Sequence, residues 1–177
     1  VDNNTSVGIY QRGANPVYTN VTISNNEGIG ILIADHLNVT LINSIVWGNE
    51  SGQVAFEGSA NTCSVTISYS DIQGGESGIN LPNDAEVVWL VGNIDSDPQF
   101  DESGPGYTLT ALSPCIDSGD PQFPFDPDGT RSDMGAYYFD QRDYSPQISI
   151  VPDSLEFSIF TDISIEQSHN ITISTAG

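Results

Sequence analysis

Val39-Thr40-Leu41-Ile42-Asn43-Ser44 and Val65-Thr66-Ile67-Ser68-Tyr69-Ser70 are two copies of one short pattern, and Val21-Thr22-Ile23-Ser24-Asn25-Asn26 is an earlier third. In each, an apolar residue, a Thr and another apolar residue alternate. A strand turns successive side chains to opposite faces, so the first and third residues share one face and Thr takes the other. The residues that follow also align, Ser44-Ile45-Val46-Trp47-Gly48 with Ser70-Asp71-Ile72-Gln73-Gly74. The repeating unit is therefore strand, bend, short strand, Gly turn.

The copies begin 18 and 26 residues apart, as in a coil whose turns differ in loop length. Short β-branched strands between turn residues, with no helical apolar pattern to cross over, point to a parallel β-helix rather than βαβ units. Between the first two copies, Gly28-Ile29-Gly30-Ile31-Leu32-Ile33 supplies a second strand with isoleucines 29, 31 and 33 facing inward. The expected register stacks Val21, Val39 and Val65 in one column and Ile23, Leu41 and Ile67 in the next, at about 4.8 Å per turn. Asn25 and Asn43 fall at equivalent points and are read as an amide ladder along the bend. Tyr69 breaks that ladder and marks the end of the regular coil.

From about residue 76 the repeat dissolves into loops with apolar islands. Seven of the ten prolines stand at 82, 98, 105, 114, 121, 124 and 127, which rules out a long central strand or helix there. A solenoid needs a terminal cap, so residues 76–143 are expected to wrap over the end of the coil formed by residues 1–75, pinned by Trp89, Phe100, Leu112, Tyr137 and Phe139. Residues 144–177 change style. Ile148 with Ile150, and Leu155 with Phe157 and Ile159, alternate strictly, like the first strands of a β-sandwich, but about 30 residues fall far short of the roughly 100 such a domain needs. Both ends are read as cuts in a longer protein, and the tail as a module completed elsewhere or by another copy of the chain.

Among 177 residues, 24 are acidic and three basic, a formal charge of −21 with no lysine. Phosphate binding depends on Lys and Arg, so this balance argues against nucleic acid and anionic membrane surfaces as partners. No apolar run approaches the roughly 20 residues of a membrane span. The charge suits solubility in a salty or calcium-containing exterior, or binding of divalent cations.

Five motifs, residues 43–49 (NSIVWGN), 68–75 (SYSDIQGG), 92–100 (GNIDSDPQF), 107–120 (YTLTALSPCIDSGD) and 126–137 (DPDGTRSDMGAY), stand in an order that resembles the C-terminal part of secreted bacterial proteins with right-handed parallel β-helix repeats. The likeness covers roughly residues 20–140, and the tail resembles the start of immunoglobulin-like modules that follow such repeats. What the resemblance implies is architecture and export to the cell surface or beyond. The fold houses polysaccharide lyases and glycosidases as well as adhesins, so it does not choose an activity.

Residues that might carry chemistry are few. Asp126, Asp128 and Asp133 surround a Gly turn, and calcium, which takes about six to eight oxygens, is the cofactor such a loop would hold; the alternative is Asp side chains fixing turns, with Arg131 paired to Asp133 or Asp117. Cys63 and Cys115 form one disulfide or are two buried free thiols. A glycosidase needs two carboxyl groups facing one sugar, yet the aligned outward positions are Thr22, Thr40 and Thr66. His36 is read as a surface residue. The expectation is a non-catalytic structural or adhesive extracellular segment, with polysaccharide or another copy of itself as partner. The alternatives are the C-terminal part of a polysaccharide-degrading enzyme whose active site lies upstream, and a filament subunit.

Overall fold

The computed structural model of the chain describes residues 1–34, 37–57, 63–82, 85–101 and 106–144. Ten short strands follow in chain order: β1 (Ile9–Gln11), β2 (Val17–Thr19), β3 (Thr22–Ser24), β4 (Ile31–Ile33), β5 (Asn38–Ile42), β6 (Ile45–Trp47), β7 (Val54–Phe56), β8 (Ser64–Ser68), β9 (Asp71–Ile72) and β10 (Glu86–Trp89). They sort into three sheets, β1-β4-β7, β2-β5-β8-β10 and β3-β6-β9, and every strand pairing is parallel. Each strand thus finds its partner one turn later, 22 to 26 residues along. The result is an all-β parallel solenoid of about three turns. Pairing runs on past residue 75, through β10 against β8 and an isolated bridge of Ile94 to Asp71.

The expected register holds for two of the three copies. Val39 pairs with Val65 and Leu41 with Ile67, all four fully buried or nearly so. The first copy belongs elsewhere. Thr22 and Ile23 pair with Ile45 and Val46 in the third sheet, and the strand beside β5 is β2, with Tyr18 opposite Leu41. An 18-residue step is too short to complete a turn that carries three strands and their bends, so Val21 cannot lie over Val39.

The second sheet shows the alternation of a sheet buried on one face. In β5 and β8, Val39, Leu41, Val65 and Ile67 point inward, and Thr40 and Thr66 lie on the half-buried outer side. Inward residues of all three sheets, among them Ile31, Val54, Ile23, Val46 and Ile72, join them in one core. The third sheet is different: every residue of β3 and β9, together with Ile45 and Val46 of β6, is buried. Its outer face is covered by residues 106–141, and a second cluster of Ile45, Leu109, Cys115 and Met134 forms there. This loop-rich segment lies along the side of the coil, where sequence reading placed it over the end. Of the residues expected to pin it, Phe100 and Phe139 pack on the second cluster and Trp89 on the coil core, but Leu112 and Tyr137 are exposed.

Two columns of left-handed residues turn the chain between sheets. One is Asn20, Asn43, Tyr69 and Gly92; the other is Asn3, Asn25, Gly48 and Gly74. Asn and Gly enter this conformation most cheaply. Asn25 and Asn43 therefore occupy different bends and do not stack. The amide ladder is formed by the neighbouring column: Asn4 Nδ2 donates to Asn26 Oδ1 (2.8 Å), and Asn26 Nδ2 donates to Asn49 Oδ1 (2.7 Å). Asn49 in turn donates to Gln53 Oε1 (2.7 Å).

Candidate functional site

The side segment has little regular structure, so its backbone N–H groups need acceptors other than strand partners. Its aspartates supply them. Asp133 Oδ1 accepts from the Asp117 N–H and Oδ2 from the Phe139 N–H, both at 2.7 Å. Asp126 Oδ2 accepts from the Asp133 N–H (2.8 Å). Asp128 takes the Thr130 N–H and hydroxyl on Oδ1, and the Gln141 N–H on Oδ2. These three residues are the candidate calcium ligands. The structure brings them together as turn fasteners, and among the described residues no group of three or more His, Cys, Asp or Glu side chains is arranged to hold a metal ion.

The environment of each carboxyl follows from its burial. Asp133 is 2 % exposed, and desolvation pushes its carboxyl up to about 6 despite the two N–H donors. Asp126 is raised as well, by burial and then by the charges of Asp128 and Asp117. Asp128 is lowered, because the Gln141 and Thr130 N–H groups favour its charged form. Asp117 Oδ2 accepts from Gln141 Nε2, but its buried Oδ1 has no donor among the described residues.

The motif Asp133-Met134-Gly135 explains how the segment grips the coil. Met134 is fully buried in the second cluster. Gly135, in the left-handed region at φ 98°, donates its N–H to the Asn43 carbonyl (2.7 Å). A Cβ there would stand 2.8 Å from Ile45 Cδ1 and 2.9 Å from Thr22 Oγ1, so only glycine permits this approach. The bend residue Asn43 is a second anchor: its Oδ1 accepts from the Asp120 N–H (2.7 Å). Arg131 pairs with neither Asp133 nor Asp117 in the way its spacing suggested. Its guanidinium donates to the Gly119 and Ser118 carbonyls and lies 5.8 Å over the Tyr69 ring.

The two cysteines are free and buried in different clusters, Cys63 in the coil core and Cys115 under the side segment, so the disulfide expectation gives way to two thiols. Cys115 Sγ donates to Asp71 Oδ2 at 3.3 Å, and the Ser96 N–H donates to Asp71 Oδ1 at 3.2 Å. Asp71 is fully buried on the outer side of the third sheet, and desolvation pushes its carboxyl up to about 7. Burial likewise raises the Cys115 thiol, and the Asp71 charge adds to it. Sequence reading missed this pair, because it assigned the outward strand positions to threonines alone. The available signal was an acid at the position where the aligned unit has Ile45.

One open groove of about 440 Å³ lies along the second bend column, lined by Asn3, Asn25, Glu27, Gly48 and Glu50. Glu27 and Glu50 follow the ladder residues Asn26 and Asn49 in successive turns and are exposed. His36 and the tail strands at 147–177 lie outside the described residues. No family model matches the chain, and comparisons with curated proteins and with solved structures give no match.

Proposed function

We propose that this chain is a non-catalytic structural or adhesive segment of a secreted or cell-surface protein, a right-handed β-helix that leads into an immunoglobulin-like module. The observation that carries this reading is the use made of the buried polar side chains. Asn26, Asn49, Ser70, Asp120 donors and the Asp126, Asp128 and Asp133 carboxylates are joined to backbone groups or to each other. Groups held in this way stiffen a scaffold and are not available to a substrate. The net charge of −21 keeps such a scaffold soluble where salt screens self-repulsion. Its partners on this reading are a polysaccharide or a second copy of the chain.

One observation favours the polysaccharide-degrading reading. Glu27 and Glu50 share a groove on adjacent turns, and turns of a parallel coil are spaced by about 4.8 Å, near the roughly 5 to 5.5 Å between carboxyl groups of retaining glycosidases. Incubating the chain with acidic and neutral polysaccharides separates the two. Retention on the polymer with no new reducing ends is expected. Reducing ends that form with this chain and vanish in both Glu27→Gln and Glu50→Gln would replace the structural reading with the enzymatic one.

A further inference from the structure

Asp71 stands where three parts of the molecule meet. It belongs to β9, the last strand of the third sheet; its Oδ1 takes the N–H of Ser96 from the following turn, and its Oδ2 takes the thiol of Cys115 from the side segment. All of this is out of contact with water, since Asp71 and Cys115 are both 0 % exposed. Its two bonds are from neutral donors, which stabilise an anion less than a buried cation would. The titratable groups that face it are acidic. Asp95 and Asp97 approach from the following turn, and on the side segment Asp133 acts on Cys115. The nearby guanidinium of Arg131 is turned to the Gly119 and Ser118 carbonyls and the Tyr69 ring.

We propose that the Asp71 carboxyl is a proton-controlled latch that holds the side segment against the coil when protonated and loosens it when ionised. A neutral carboxyl fits the dry junction and keeps its bonds to Ser96 and Cys115. An ionised one is a buried charge beside two further acids, and it regains solvation only when the junction opens. The sign follows from linkage. The carboxyl in the closed junction sits at about 7 against an ordinary value of 3.8, so the closed form binds the extra proton between those limits. Closure is therefore complete at low pH and is lost progressively as pH rises from about 4 to about 7.

Cys115 reports the opening directly, because a buried thiol is alkylated only when exposed. In a Cys63→Ala background, the rate of maleimide labelling is divided by the rate in the same background carrying Asp71→Asn, which cancels the intrinsic pH dependence of the thiol. The ratio is expected to rise by about tenfold per pH unit between roughly pH 5 and 6.5 and to level off above 7. A ratio constant with pH overturns the latch. Should the Asn variant fail to fold, the side-chain carboxyl resonance of Asp71 in the unaltered chain decides: a midpoint near 7 supports the latch, and one near the ordinary carboxylate value overturns it.

Discussion

The coil and the segment along its side solve the same problem with different chemistry. Both must satisfy buried backbone N–H groups at bends. The coil uses neutral acceptors stacked at the turn spacing: Ser44 Oγ takes the Val21 N–H, Ser70 Oγ takes the Ser44 N–H, and Asn93 Oδ1 takes the Ser70 N–H. The side segment uses carboxylates, with Asp120, Asp126, Asp128 and Asp133 each holding one or two N–H groups. Ionised acceptors bind N–H groups more strongly than neutral ones, which suits loops that lack strand partners. The difference teaches that regularity is what makes neutral acceptors sufficient, and that the irregular part pays in sensitivity to pH.

The comparison breaks first if the coil core does not dominate stability. Ile67 is fully buried between Leu41 and Trp89 of adjacent turns, and Ile67→Ala is expected to cost about 3 to 4 kcal/mol in denaturant unfolding. Leu112, 84 % exposed, should lose less than about 0.5 kcal/mol on the same substitution. Equal losses would mean that the two regions share one core. Next comes the ladder. Asn49, 4 % exposed, bonds to Asn26, Gln53 and the Ile23 carbonyl, so Asn49→Ala leaves several buried groups unpaired and should cost about 2 to 3 kcal/mol. That loss should be the same at pH 4 and pH 7, because no member of the ladder titrates.

The side segment should behave otherwise. Asp133 is raised to about 6 by burial, so its folded form binds a proton more tightly than the unfolded chain does. Its contribution is present in full below about pH 4 and is lost as pH rises to about 6, on the order of 1 to 2 kcal/mol once partial solvation is allowed for. Asp128 is lowered and works in the opposite sense: its contribution is present above the ordinary value of 3.8 and disappears as pH falls below it. Asp133→Asn replaces one accepting oxygen by an amide NH2 that faces an N–H donor. It should therefore weaken the protein by about 2 kcal/mol and flatten thermal stability between pH 4 and 6. A slope unchanged by the substitution would assign the pH dependence to general self-repulsion.

How much of this was legible in the sequence divides along the same line. Val39 and Val65 stack as read because five-residue strands repeat with one intervening turn of 26 residues. Val21 was misplaced because Val-Thr-Ile fits the pleat of any of the three sheets, and local pattern does not say which sheet a strand joins. The ladder was read one residue early. The pairs Asn3-Asn4, Asn25-Asn26 and Gly48-Asn49 recur at turn spacing, and in each the first residue makes the left-handed bend while the second carries the ladder. The Asp71 and Cys115 contact spans 44 residues between an element of the coil and a loop. No periodicity reports such a pairing, since it depends on where an irregular segment comes to rest.

The smallest expected effect concerns calcium, and it bears on whether the carboxylates of the side segment are fasteners or ligands. A cation held by Asp126, Asp128 and Asp133 would need oxygens converging on one point. Their oxygens instead accept N–H groups from Asp117, Thr130, Asp133, Phe139 and Gln141, and a cation would have to take over lone pairs directed at those donors. Binding only to the folded state raises the melting temperature in proportion to the logarithm of ligand over Kd. Millimolar calcium, or its removal by a chelator, is therefore expected to leave the melting temperature where it is at constant ionic strength. A rise with calcium that Asp128→Ala abolishes would convert the fasteners into ligands, and would remove the contrast with the coil by giving the side segment a partner that it lacks on the present reading.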